Sequence, residues 1–391
     1  MATPRIVLVS LTRDVEREAD ARALALAIRA HGLEATLALP GGAVEQEGER
    51  PVPSVGRRAG ARDAAASLAL VALLSEEKPA LVHALHGRAL PAVLGAAEVA
   101  KTPMRVATVS RAPAELFPER GAGGRLLSRL RAATDGAAPR ALHRVDRVIA
   151  TTRATEQAWV KSDWVPASRM RGLEVGLGVS PEPWVDEGPS SERRAAARAR
   201  LGASGLRHVI ASDLRGASAE ARTRYRALER RLRGHTRWYT LGGEGLGVPA
   251  EGAAWTDAVV ASDVVVQLEG GAATPRAVAR AALARVACVA WDSVAHRAVI
   301  RDGETGTLVR RVEDVEGAVR AWLDDPGRRE QAGAVARSWA LRRCDRGLAV
   351  ERVVRWYDEL WRSAISAPAI LNEDGRFAAD EGGRRRRDLM R

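Results

Sequence analysis

Apolar and polar positions alternate along the chain in two registers. Ile6-Val7-Leu8-Val9 is a short apolar run of the kind that forms a buried strand. It leads through a polar stretch into a segment where Ala21, Leu24, Ala27 and Ile28 share a helical face until Gly32. Residues 35–39 read as the next strand, and further strand-like runs at 80–83, 105–109 and 145–150 each follow a helix-like segment. This alternation predicts a parallel α/β sheet with helices on both faces.

The pattern lapses over residues 176–194, where Gly176, Gly178, Pro181, Pro183, Gly188, Pro189, Ser190 and Ser191 stand in place of periodic apolar positions. It restarts with strand-like runs at 209–211, 238–241, 264–266, 287–291 and 307–309, separated by helical patterns. Two similar α/β domains are therefore expected, at 1–175 and 199–345, joined by a linker at 176–198. Helices at 328–339 and from 348 to about 363 close the pattern, the second with Val350, Val353, Val354, Tyr357, Leu360 and Trp361 on one face. Residues 346–364 are expected to form a separate C-terminal helix, and 365–391 a disordered tail containing Arg384-Arg385-Arg386-Arg387. Simple solvation accounts for that tail, and an anionic partner is the alternative.

A chain of 391 residues has room for two or three domains. The net charge of +12 raises nucleic acid as a partner, but of the 61 basic residues only Lys78, Lys101 and Lys161 are lysines. The arginines are spread among Glu and Asp instead of gathered in an arm with interleaved aromatics, so nucleic acid is not expected as a partner. Cys288 and Cys344 lie far apart and give neither a metal-ligand spacing nor a disulfide framework. No metal site is expected, and a reducing compartment is. The run at 6–11 is too short for a signal-peptide core, and the longest apolar stretch, 64–74, falls below the ~18 residues that span a bilayer. A cytoplasmic protein is expected, at most peripheral to the inner face of a membrane.

Open parallel sheets bind ligands beyond the carboxyl ends of their strands, so the loops there carry the candidate chemistry. Gly242-Gly243-Glu244-Gly245-Leu246-Gly247 follows one strand and permits close backbone approach to a ligand, while an ordinary tight turn explains it equally. It matches neither the dinucleotide fingerprint nor the phosphate loop. Gln267-Leu268-Glu269-Gly270-Gly271-Ala272-Ala273-Thr274-Pro275 follows another strand and leads into a helix at 276–283. Thr274 as cap and Pro275 at the first helical position would leave backbone N–H groups pointing at a diphosphate. A plain capped helix is the other reading. Arg276 opposes the helix dipole unless an anion or solvent offsets it.

Residues Val299-Ile300-Arg301-Asp302-Gly303-Glu304-Thr305-Gly306-Thr307-Leu308-Val309, then Asp314-Val315-Glu316-Gly317 and Trp322-Leu323-Asp324-Asp325-Pro326, resemble a segment of the GT-B glycosyltransferases. The group most resembled is the large retaining one that uses nucleotide-sugar donors. Arg328-Arg329-Glu330, Gly333, Ala336-Arg337 and the last helix continue the resemblance in order. Val82-His83-Ala84-Leu85-His86 resembles the group's His-rich strand end, and Val145-Asp146-Arg147-Val148-Ile149-Ala150-Thr151-Thr152 resembles a later strand of its first domain. Gly178-Val179 and Arg200-Leu201-Gly202 also fall in place, so the resemblance covers about residues 5–362.

The resemblance implies the GT-B fold: two Rossmann-like domains with parallel sheets facing across a cleft. The acceptor would lie in the first domain and the donor in the second, with the last helix packing back on the first. It implies metal-independent, retaining hexosyl transfer from a nucleotide diphosphate sugar to a glycan, lipid or small-molecule acceptor in polysaccharide biosynthesis, with no cofactor beyond the donor. In this frame His86 is the candidate acceptor-side base, with a structural histidine at a strand end as the other reading, and Glu269 the sugar-facing carboxylate. Arg215, Gly242, Gly243, Gly270, Gly271, Thr274, Arg276 and Asp292 are the candidate donor ligands. Residues 125–131 resemble the membrane-attachment helix of lipid-modifying relatives, and an ordinary exposed helix fits them as well.

The departures concern chemistry. Where the family has a glycine pair after the first strand, this chain has Thr12-Arg13-Asp14-Val15-Glu16-Arg17. The family's Gly-Arg-Leu and following Lys fall on Ser212-Asp213-Leu214 and about Ser218, with Arg215 as the nearest substitute cation. The paired glutamates E-x7-E fall on Ala272 and Arg280, and the family's Thr-Val-His histidine on Ser110. The stretch 247–261 is short, as expected for the loss of one strand-helix unit. Two functions follow: an active transferase, or a degenerate GT-B protein serving as a binding or partner subunit, for instance of a partner transferase.

Overall fold

The computed structural model describes residues 4–11, 15–41, 46–54, 61–110, 145–162, 165–182, 184, 190–215, 217–232, 236–243, 247–269 and 275–366. It divides into two units, Met1–Leu173 with Val350–Arg391, and Glu174–Ala349.

In the first unit the strands are β1 (Arg5–Val9), β2 (Glu34–Pro40), β3 (Glu49–Val52), β4 (Leu81–Ala84), β5 (Met104–Val109), β6 (Arg147–Ala150) and β7 (Met170–Gly172). They form one parallel sheet in the order β3-β2-β1-β4-β5-β6-β7. β1 lies inside this sheet with both faces covered, which is why Ile6, Val7, Leu8 and Val9 are uniformly apolar and buried. The helices are α1 (Val15–Ala30), α2 (Ala61–Glu77), α3 (Leu90–Val99) and α4 (Arg153–Lys161). On α2, Ala66, Leu70, Leu73 and Leu74 are the buried stripe.

In the second unit β8 (His208–Asp213), β9 (Thr236–Leu241), β10 (Val248–Pro249), β11 (Val264–Gln267), β12 (Ala287–Trp291) and β13 (Gly306–Val309) form a second parallel sheet, ordered β10-β9-β8-β11-β12-β13. Its helices are α5 (Ser190–Arg200), α6 (Ala219–Leu232), α7 (Gly252–Ala261), α8 (Arg276–Leu283), α9 (Val294–Arg297), α10 (Val312–Leu323) and α11 (Pro326–Arg343). Both sheets reverse their winding once, between β1 and β4 and between β8 and β11, and each reversal opens a crevice at the carboxyl ends of those strands.

The last helix, α12 (Arg346–Ser366), buries Val350, Val353, Val354, Trp356, Tyr357 and Leu360. The Tyr357 hydroxyl meets His83 Nδ1 on β4, while His83 Nε2 lies 2.7 Å from Thr108 Oγ1 on β5. Burial pushes the His83 pKa down to about 3, so the ring is neutral and bridges helix to sheet as an uncharged group.

Within the stretch 176–198, α5 begins at Ser190. Among its described side chains Ala197 is the buried one, and its Arg- and Ala-rich text shows no apolar period. The expected loss of a strand-helix unit over 247–261 is corrected: β10 and α7 are both present, the strand reduced to two residues paired with β9. A buried carboxylate ties α5 into the unit. Asp263 Oδ2 pairs with Arg198 Nη2 at 2.6 Å and accepts the Val209 N–H at 2.9 Å, while Oδ1 lies 3.3 Å from Arg329 Nη2. Gly306 of the distinctive Glu304-Thr305-Gly306 text sits against the Cys288 carbonyl, where any Cβ would collide with the neighbouring strand.

Candidate functional site

At the carboxyl edge of the second sheet, β8 ends in Asp213 and the chain turns so that Leu214 N–H donates to Leu241 O at 2.8 Å. That turn brings Arg215 back onto Asp213, Nε to Oδ1 at 2.9 Å and Nη2 to Oδ2 at 2.5 Å. The Arg215 stem crosses Gly242, whose φ is +69 and whose Cβ, if present, would lie 2.7 Å from Arg215 Cγ. A Cβ on Gly243 would meet Thr240 and stand 2.9 Å from Leu214 Cδ1. These two glycines are accounted for by packing of the β8 and β9 loops on each other. Arg222, on α6, donates to Leu214 O at 3.3 Å and Gly242 O at 3.2 Å and links the same loops.

On the other side of the winding reversal, Gln267 Nε2 donates to Asp213 O at 3.1 Å. Glu269 places Oε2 3.0 Å from the backbone N–H of Ser218, whose own Oγ accepts the Ala221 N–H at 3.1 Å and caps α6. The carboxylate thus takes a backbone donor at the positive end of a helix. After β12, Asp292 is 5% exposed and is gripped by Arg297, Nε to Oδ1 at 2.5 Å and Nη2 to Oδ2 at 2.7 Å, with Arg310 Nε also 2.7 Å from Oδ2. The hydrogen bond from Arg297 above all, and then that from Arg310, lower its pKa to about 2. α8 begins at Arg276 with Pro275 as the residue before the first helical one and no side-chain cap. Gly270, Gly271 and Thr274 lie outside the described residues, as do residues 125–131.

At the carboxyl edge of the first sheet, the winding reversal between β1 and β4 holds a different pair. His86, half-buried and extended before the 3-10 turn Gly87–Ala89, has Nε2 2.9 Å from Ser10 Oγ. Ser10 follows β1 and is fully buried among apolar neighbours. The sequence marks it only as a polar break between Val9 and Leu11, and its partnership with His86 spans 76 positions.

The sites differ in kind. The second unit brings Asp213, Arg215, Gly242 and Gly243 together, sets Glu269 against α6, and holds Asp292 apart with its own arginines. The first unit presents a hydroxyl–imidazole pair. Among the described residues no group of three or more His, Cys, Asp or Glu could hold a metal ion. Nor is any helix among them long and apolar enough to cross a membrane.

Residues 18–174 match the family model Glycosyltransferase Family 4. HepE of Anabaena, in its complex with UDP-glucose, matches with a TM-score of 0.69 at 16% identity, covering 91% of this chain and 100% of that one. The chain has the GT-B fold. A glycosyltransferase from Rickettsia africae agrees, with a TM-score of 0.68 at 12% identity over 93% of this chain and 100% of that one. So does the sucrose-phosphate synthase of Thermosynechococcus elongatus, at 0.67 and 13% over 92% and 100%. No curated protein matches the sequence. The two all-parallel sheets are the two Rossmann-like halves of GT-B, and the family model falls on the first.

Proposed function

We propose that this chain is a glycosyltransferase that moves a hexose from a nucleoside diphosphate sugar to a hydroxyl of a glycan, lipid or small molecule. The donor would lie at the carboxyl edge of the second sheet and the acceptor at that of the first, in a cytoplasmic protein. The observation that carries this reading is the GT-B fold, shared over nearly the whole chain with HepE, which is solved with UDP-glucose. In such a transfer the bond from sugar C1 to the diphosphate oxygen breaks as the acceptor oxygen bonds to C1, and the acceptor proton leaves to a base. The charge that develops on the diphosphate must be met by fixed donors. In this chain Arg215 and Arg222 lie at that edge, where they meet the loops after β8 and β9.

Thermal-shift titration of the whole chain with UDP, GDP and ADP, alone and as hexose conjugates, tests the reading, because a ligand that binds the folded state raises the melting temperature. A saturable rise with one nucleotide family is expected. The absence of any rise at millimolar nucleotide overturns it.

A second reading is favoured by the charge pairing of the second unit. Arg215 is engaged by Asp213, Asp292 by Arg297 and Arg310, and Ser218 N–H by Glu269. A donor site closed on itself in this way suits a degenerate GT-B protein that works as a binding subunit beside a partner transferase. Absence of both nucleotide binding and turnover in the folded chain would support that reading.

A further inference from the structure

We infer that Arg297 and Arg310, held in place by Asp292, form the cradle for the diphosphate of the donor nucleotide, an inference that rests on the transferase reading above. The balance of charge separates the arginines at the carboxyl edge of the second sheet. Arg215 faces a carboxylate of its own, Asp213, and Arg222 donates to the backbone carbonyls of Leu214, Ala217 and Gly242. Glu269 adds a negative charge beside them. At Asp292 the balance reverses, because two guanidinium groups share a single carboxylate and leave a surplus of positive charge.

The carboxylate is closed, but its arginines are not. The side chains of Arg297 and Arg310 are 54% and 78% exposed. Among the described residues, Arg297 Nη1 and both Nη atoms of Arg310 have no protein partner, so each guanidinium is oriented by Asp292 and keeps donors to spare. Local structure fixes all three residues. Asp292 N–H donates to Val309 O at 2.8 Å, which sets Asp292 beside Arg310 at the ends of β12 and β13. Arg297 ends α9, a turn capped by Ser293 Oγ on the His296 N–H at 3.2 Å and pinned by the buried His296 ring, whose Nδ1 lies 2.7 Å from Trp291 O. β12 pairs with β11 as far as Ala290 and Gln267, so the cradle starts one strand spacing, about 4.8 Å, from a wall of the winding reversal. A guanidinium offers phosphate oxygens a planar fork of N–H donors, and a fork already oriented by a buried counter-ion loses less freedom on binding than a loose surface arginine.

The test measures, by calorimetry at one low salt concentration, the affinity of the whole chain for whichever of UDP, GDP and ADP gives the largest thermal shift. Arg310→Gln removes an exposed side chain and leaves Arg297 on Asp292. Arg311→Gln is the control: it removes the same charge one residue further on, from a side chain that is 76% exposed and paired one to one with Asp314. Each variant is first checked for an unchanged melting temperature without ligand. Arg310→Gln should weaken the nucleoside diphosphate about tenfold and flatten the salt dependence of binding, and Arg311→Gln should change the affinity by less than about twofold. An affinity retained within about twofold in Arg310→Gln overturns the inference, as does an equal loss in both variants, which would mark a diffuse surface field. If Arg310→Gln does not fold, Arg310→Lys, which keeps the charge and loses the fork, takes its place and should still weaken binding by about threefold; an unchanged affinity there overturns the inference as well. A wild-type chain that binds no nucleotide overturns the transferase reading and this inference with it, whereas wild-type binding that Arg310→Gln retains overturns this inference alone.

Discussion

Glu269 Oε2 accepts the backbone N–H of Ser218 at 3.0 Å, at the amino end of α6. A carboxylate here is favourable to α6, since it satisfies an otherwise open donor at the positive helix end. It also places negative charge where a diphosphate would come. Glu269→Ala should therefore lower folding stability by about 1 kcal/mol and raise affinity for nucleoside diphosphates. Urea denaturation and calorimetry measure the two effects, and a drop in nucleotide affinity would show that Glu269 helps the donor instead of competing with it.

Asp292 gives a pH signature. Its folded-state pKa lies at about 2, held down by the hydrogen bond from Arg297 and by Arg310. A depressed carboxylate stabilises the fold fully above its ordinary value near ~3.9, and the benefit fades as pH falls through the folded value. Wild type should lose stability relative to Asp292→Asn between about pH 4 and pH 2, and exceed it by a constant margin above. Denaturation midpoints across that range check this; parallel curves would contradict it.

His83 acts with the opposite chemistry but also weakens the fold in acid. Burial holds its pKa near 3, so below the ordinary value of about 6.5 the unfolded chain takes up a proton that the folded chain refuses. Stability should fall as pH drops from about 6.5 toward 3 and stay level above that window. Tyr357→Phe removes the hydroxyl that meets Nδ1 and leaves a buried polar atom unpaired, at a cost of about 1 to 3 kcal/mol. Loosening of α12 should appear as faster proteolysis near residue 357, and an unchanged cleavage rate would argue against this anchor.

Asp263 offers a strong structural probe. Its carboxylate is 4% exposed and faces Arg198 and Arg329, themselves largely buried. Asp263→Ala leaves both cations without their counter-ion and should destabilise the second unit by about 3 to 5 kcal/mol. Chemical denaturation of the whole chain would reveal it, and a loss below about 1 kcal/mol would mean that water or other groups replace the carboxylate.

The interior strands were legible in the sequence because burial on both faces favours continuous apolar runs, as in Ile6-Val7-Leu8-Val9 of β1, Val209-Ile210-Ala211 of β8 and Val264-Val265-Val266 of β11. β3 and β10 were not: Glu49-Arg50-Pro51-Val52 and Val248-Pro249 lie on sheet edges, where proline and charge are tolerated and the apolar signal is lost. α5 escaped because its text is mainly arginine and alanine with no large apolar residue, and Ala197 is buried without an apolar period around it. The positions of the glycines after β9 were readable, but not that Arg215 lies across Gly242. Ser218 with Glu269, 51 positions apart, and Ser10 with His86 are meetings made by the winding of the sheets, and no local spacing announces them.

Turnover tests the central claim most directly. The whole chain is incubated with the nucleotide hexose that gives the largest thermal shift, with and without a panel of glycan, lipid and small-molecule alcohols, and free nucleoside diphosphate is measured over time. The account predicts acceptor-dependent release of the nucleotide with the hexose recovered on a hydroxyl. Absence of nucleotide binding together with absence of release under every condition would contradict it.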